Sequence, residues 1–230
     1  MQKRATMSIF NFNSSKSPFK AVYFHHIGKT GGTTLDHTLA QFFPRKYRYP
    51  FHGATSSLFS GRFQFISGHM PWQVRELLET PSLAITLVRD PVEQFISGFR
   101  HLQRQPDHIF TLTATSLSAG FSLDEFLMDD GARKYLRNPQ TLSIARRFEW
   151  GRFASLCLSQ ENPNWKSQAK VTDPNFVILY GDPFEEREDR IHLQKAIYNL
   201  QSAPTVFSTT EQIDRDIKRI LKIATGKYVE

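Results

Sequence analysis

Apolar positions along this chain switch between a run-like and a helical spacing, and the switches divide it into strands and helices. Ala21-Val22-Tyr23-Phe24-His25-His26 is a short apolar run that ends in polar residues. A turn rich in glycine and threonine follows, and then Leu35, Leu39, Phe42 and Phe43 recur at helical spacing up to Pro44. The order is strand, loop, helix. Across residues 62–67, Phe63 and Phe65 alternate with polar neighbours, which predicts a half-buried strand. Pro71 stands where a first helical position should be, with Val74, Leu77 and Leu78 along one face. Residues 83–88 are continuously apolar apart from Thr86, the pattern of a strand covered on both sides.

The next helix is marked at its start. Asp90 serves as cap, Pro91 fits the first turn, and Glu93 completes a capping-box-like pair. Phe95, Ile96, Phe99 and Leu102 then form an apolar stripe. The pattern is weaker over residues 106–170, where Ser122 and Glu125 predict a short capped helix ending at Gly131. Residues 176–180 read as another buried strand and residues 185–200 as a helix. Val206-Phe207 predicts a last short strand. Thr209 and Gln212 predict a second capping box, opening a helix with Ile213, Ile217, Ile220 and Leu221 inward. Strands alternating with helices predict an α/β fold of three layers, P-loop-like, with a central, mainly parallel sheet and helices on both faces. Ligands in such folds gather beyond the carboxyl ends of the strands.

Composition narrows the picture moderately. At 230 residues the chain suits one domain, expected over residues 20–230 behind an arm of residues 1–19. A fold of this size buries roughly 70% of its unfolded surface, and 20 phenylalanines supply core material. The excess of Lys and Arg over Asp and Glu, 29 against 22, favours an anionic partner such as a nucleotide, a sulfated glycan, nucleic acid or an acidic membrane. A solvated basic surface carries the same excess, so charge alone decides little. The single cysteine, Cys157, allows no intramolecular disulfide and no need for an oxidising compartment. No apolar run reaches the ~18 residues of a membrane span. The first 20 residues lack the apolar core of a signal peptide. A cytoplasmic protein is expected.

Two stretches carry chemistry. The first is His25-His26-Ile27-Gly28-Lys29-Thr30-Gly31-Gly32-Thr33-Thr34, which joins strand to helix. Glycines let backbone N–H groups approach an anion, the helix start adds partial positive charge, and Lys29 adds a full one. An ordinary glycine-rich turn capped by Thr33 or Thr34 would share some of these features. It is not a standard nucleoside-triphosphate loop, because Tyr23 stands where that motif needs its first glycine. The second stretch runs from Ile85 through Arg89-Asp90-Pro91 to Ser97 and Phe99. Arg89 leaves the end of a buried strand, and Ser97 lies about two helical turns beyond Asp90, on the same face. Arg100 and Arg104 continue that side. An arginine fork with a hydroxyl suits a terminal phosphate, although Arg89 paired with Asp90 or Glu93 would be a purely structural alternative.

Together these stretches resemble the sulfotransferases that use 3′-phosphoadenosine 5′-phosphosulfate (PAPS), in particular the carbohydrate O-sulfotransferase type that includes heparan sulfate 2-O-sulfotransferase. The resemblance lies in Lys29-Thr30-Gly31-Gly32-Thr33-Thr34, in Arg89-Asp90-Pro91 with Ser97, and in Ser67-Gly68-His69. It extends to Asn138-Pro139-Gln140-Thr141 and Thr209-Thr210-Glu211, in the right order over about residues 20–225. It implies that Lys29, Thr30, Gly31, Gly32, Thr33 and Thr34 hold the 5′-phosphosulfate and that Arg89 and Ser97 hold the 3′-phosphate. It further implies His69 as general base and Lys29 on the bridging oxygen that leaves. No metal is expected. Gly28, Gln94 and Ser67 depart from the family's usual proline, arginine and histidine, and leave the acceptor open: a glycan, a glycolipid or a small metabolite.

Of His25 and His26, one is expected at the site and the other in the structure. His101 and His108 are expected to be solvated, and Cys157 buried. Trp150 and Trp165, near Arg146, Arg147 and Arg152, suit an exposed basic helix better than a sugar platform. A metal-dependent kinase or nucleotidase is the nearest rival. A nucleic-acid-binding module would need a basic, aromatic-studded face, and the arginines here are dispersed.

Overall fold

The computed structural model describes residues 17–49, 58–59, 63–78, 81–104, 121–129, 138–145, 189–202 and 204–226. Within these, four strands form one parallel sheet: β1 Ala21–His25, β2 Phe65–Gly68, β3 Ser82–Val88 and β4 Thr205–Thr209. Their order is β2-β1-β3-β4. The helices are α1 Gly32–Ala40, α2 Pro91–Arg104, α3 Leu123–Met128, α4 Pro139–Ala145, α5 Asp189–Gln201 and α6 Ile213–Thr225.

The register explains the layers. Val22 lies opposite Phe65 on one side and Leu83 on the other. Side chains alternate along a strand, so Val22, Phe24, Phe65, Leu83, Ile85 and Leu87 share one face. That face packs on α1 and α6 through Leu35, Leu39, Ile220, Leu221 and Ala224, all buried. The opposite face carries Tyr23, Ile66 and Ala84. It is covered by a 3₁₀ segment, Trp72–Leu77, and by α4 and α5 through Val74, Ile144, Ala145 and Ala196. The α/β expectation, with helices on both faces, holds. α2 packs away from this core, where Phe95, Phe99 and Leu102 meet Phe121 and Phe126.

Several local expectations change. Pro71 precedes a 3₁₀ segment rather than opening an α-helix, and its carbonyl accepts from Val74 N–H. β2 starts at Phe65 and is buried on all four residues, because β1 and both layers enclose it. Asp90 does cap α2, accepting from the N–H groups of Val92 and Glu93 at 2.9 and 3.0 Å. The reciprocal half of that box is absent, since Glu93 turns to Arg89 instead. Thr209 makes no side-chain cap: it ends β4, residues 210–212 form a 3₁₀ turn, and α6 begins at Ile213. Ser122 and Glu125 form their box as expected, though α3 ends at Met128. The strand expected at 176–180 lies outside the described residues.

Candidate active site

The site forms where β1, β2 and β3 end. Past β1 the chain makes a tight loop in which Lys29 adopts φ 65° and Gly31 φ 72°. For Lys29 this left-handed conformation is uncommon, and such strain concentrates where function fixes the backbone. Gly31 is the N-cap of α1; no side chain caps the helix and its first turn holds no acidic residue. The N–H groups at this end have no intrahelical acceptor and carry the positive end of the helix dipole. Gly32 is required by contact: a Cβ there would lie 2.5 Å from His26 Cδ2 and 2.7 Å from its Nε2.

The loop's hydroxyls divide. Thr33 and Thr34 are exposed. Thr30 is fully buried, and its hydroxyl donates to the Ile27 carbonyl at 2.9 Å. The Thr30 carbonyl in turn accepts from the Thr210 hydroxyl at 2.6 Å. Gln94, from α2, donates to the Gly28 carbonyl at 2.8 Å. The loop is thus tied from three sides.

The two loop histidines separate. His25 is fully buried beneath the sheet end, edge-on to Trp72 with ring centroids 5.3 Å apart. Thr86 Oγ1 donates to the His25 carbonyl at 3.1 Å, which leaves that oxygen to accept from Nδ1–H at 3.4 Å. Nε2 lies 2.9 Å from the Ser143 hydroxyl, and a ring N–H also reaches the Met70 backbone carbonyl. Burial, followed by the neighbouring charges of His69 and His26, lowers the His25 pKa to about 3. It is a neutral structural residue. His26 instead stacks between Phe24, at 5.5 Å, and His69, at 4.6 Å.

His69 follows β2 directly and is exposed. Its Nδ1 lies 2.7 Å from the His26 carbonyl, an acceptor only, so Nδ1 carries the proton and Nε2 the lone pair. Its Cε1 would lie 4.0 Å from a Cβ at Gly28. The ring therefore stands over the loop at Gly28. The Lys29 ammonium is less basic than usual, first through partial burial and then through repulsion from Arg104 and Arg89.

Arg89 follows β3. One terminal nitrogen donates to the Lys29 carbonyl at 3.4 Å and the other to Glu93 at 3.3 Å. Its Nε is buried and has no partner among the described residues. Ser97 lies one turn beyond Glu93 on α2 and is half-buried. His101 corrects an expectation: it is half-buried rather than solvated. Burial, then Lys29 and Arg104, hold its pKa below the ordinary histidine value.

Sequence patterns gave no role to Gln94, Gln140 or Thr210, each of which bonds a backbone atom of the loop or of Arg89. A side-chain amide that serves a distant backbone leaves no periodic signal. His108, Trp150, Cys157, Trp165, Arg146, Arg147 and Arg152 lie outside the described residues. Among the described residues no group of three His, Cys, Asp or Glu side chains is placed to hold a metal ion. No helix there is long and apolar enough to cross a membrane.

A helix N-terminus without a side-chain cap, a lysine, and an arginine whose buried Nε has no partner among the described residues lie together at one edge of a parallel α/β sheet. The profile of the sulfotransferase family matches residues 15–226, and the chain belongs to that family. No curated protein matches the chain.

Proposed function

We propose that this sulfotransferase takes its sulfuryl group from PAPS and passes it to a carbohydrate hydroxyl, on a glycan or glycolipid. The observation that carries this is the convergence of His69, Lys29, the α1 N-terminus and Arg89 at one edge of the sheet. When bound, PAPS supplies the sulfuryl group and leaves as adenosine 3′,5′-bisphosphate. The donor set fits such a molecule, which carries an oxyanion at each end. The N–H groups of Thr30, Gly31, Gly32, Thr33 and Thr34, with the exposed Thr33 and Thr34 hydroxyls, would hold the 5′-phosphosulfate. The Thr30 hydroxyl, turned to Ile27, contributes structure.

Arg89 and Ser97 would hold the 3′-phosphate. The unpaired Arg89 Nε supports this, since a buried donor without an acceptor is costly unless a ligand supplies one. His69 removes the acceptor's proton. Its tautomer is fixed by the His26 carbonyl, so Nε2 presents a lone pair, and a neutral imidazole takes a proton near pH 7. Lys29 holds the leaving oxygen. Burial and the two arginines weaken its hold on the proton, which makes it a stronger hydrogen-bond donor as charge grows there.

The test is transfer of label from [³⁵S]PAPS to polysaccharide and lipid extracts. Label should appear in the carbohydrate fraction without added metal. Label confined to small non-sugar hydroxyl compounds would overturn the acceptor class, and absence of transfer to any acceptor would overturn the donor.

A further inference from the structure

We propose that Gln140 is a positioning residue for Arg89, and that it sets the enzyme's preference for a nucleotide bearing a 3′-phosphate. The inference rests on the reading that Arg89 binds that phosphate. β3 is paired on one side as far as Thr86, opposite His25, and on the other as far as Val88, opposite Thr209. The backbone N–H and C=O of Arg89 lie beyond both ladders. The Gln140 side chain takes both: Oε1 accepts from Arg89 N–H at 2.8 Å, and Nε2 donates to the Arg89 carbonyl at 2.8 Å. One carboxamide thus continues the sheet by a residue, in place of a strand.

This fixes the backbone of Arg89 on both sides of its Cα and so the direction in which the side chain departs. An arginine is a long lever, and a misplacement of about 1 Å at a binding group can cost on the order of a hundredfold. Gln140 does this without charge. A carboxylate at that position would hold the same N–H while competing with a phosphate for the guanidinium. Among the described residues the carboxylates that act on Arg89 are Glu93, whose side chain is 56% exposed and therefore a weak competitor, and Glu211, which sits at the neighbouring Asp90 N–H.

α4 itself packs against β1 and α5. Asn138 enters it at φ 50°, the Ser143 hydroxyl lies 2.9 Å from Nε2 of the buried His25, and the Ile144 carbonyl accepts from Asn199 of α5 at 2.7 Å. The same short helix therefore braces the ends of β1 and β3, two of the three strands at the site.

The experiment compares binding of adenosine 3′,5′-bisphosphate with adenosine 5′-monophosphate by calorimetry, using the full chain. The variants are Gln140→Met, which keeps the volume, Gln140→Ala, Arg89→Ala, and Asn199→Ala as a packing control. Gln140→Met should weaken the bisphosphate about tenfold, as loss of two net hydrogen bonds allows, and the monophosphate less than about twofold. Asn199→Ala should lower the melting temperature yet keep the preference. If Arg89→Ala abolishes the preference while both Gln140 variants retain it, Gln140 has no positioning role. Equal weakening of both nucleotides in Gln140→Met and Asn199→Ala would reduce Gln140 to packing and overturn the inference. A preference intact in Arg89→Ala would overturn the phosphate assignment itself, and this inference with it.

Discussion

The corner after β1 and the corner after β3 are built in different ways. The corner after β1 is shaped mainly by its own residues: Thr30 bonds Ile27, three residues away, and glycines 31 and 32 give the chain its turn and its room, while Gln94 and Thr210 tie it from farther along the chain. The corner after β3 is assembled from afar. Arg89 is held by Gln140, 51 positions on, and its neighbour Asp90 offers its N–H to Glu211, 121 positions on. A corner shaped by its own residues is the more sensitive to changes among them. A remote corner behaves the other way. Substitutions should therefore act on chemistry at the first and on affinity at the second.

Removing the chemistry should have the largest effect. His69→Ala and Lys29→Ala should each reduce turnover on the order of 10²–10⁴-fold, the usual span for a positioned proton or charge. Nucleotide affinity should fall far less in His69→Ala. Turnover kinetics check both, and near-normal rates in either variant would break the assignment of the local corner.

A steric test of the same corner comes next. Gly32→Ala places a Cβ within 2.5 Å of His26, which must then move from between Phe24 and His69. Overpacking of this kind costs typically 1–3 kcal/mol. Chemical denaturation should register that loss together with a fall in turnover larger than the fall in affinity. Unchanged stability and turnover would mean that His26 has room the structure does not reveal.

The smallest effect, taken per pH unit, concerns His25. His25 is neutral in the fold with a pKa of about 3, against an ordinary value of 6.5. Between these values the unfolded chain binds the extra proton, so stability contributed by this group falls as pH falls. The difference in stability between wild type and His25→Gln should change by at most about 1.4 kcal/mol per pH unit across that window. A difference independent of pH would contradict the buried, uncharged assignment.

The local corner was the part legible in sequence, for a physical reason. Glycine spacing, a lysine beside it and a strand before it are contiguous, and the backbone conformation follows from those residue types. β1, β3 and α2 were legible too, because burial on both faces or on one stripe leaves a periodic trace. Pro71 misled, since a proline at a first position suits a 3₁₀ turn as well as an α-helix. Thr209 misled because pairing in β4 overrode its capping tendency. Gln140 and Thr210 stood in segments that carry the family resemblance and Gln94 stood out as a departure from it, but the bonds these residues make left no trace, because a single polar side chain reaching a distant backbone has no pattern along the chain.

The central claim is that the two corners hold the two ends of one nucleotide. Calorimetry with adenosine 3′,5′-bisphosphate, in buffer containing a chelator, tests it most directly. One molecule should bind per chain, with affinity reduced about tenfold or more in Arg89→Ala, as expected for loss of a charge-assisted phosphate contact. Failure to bind, or binding that requires magnesium and prefers a triphosphate, would contradict it.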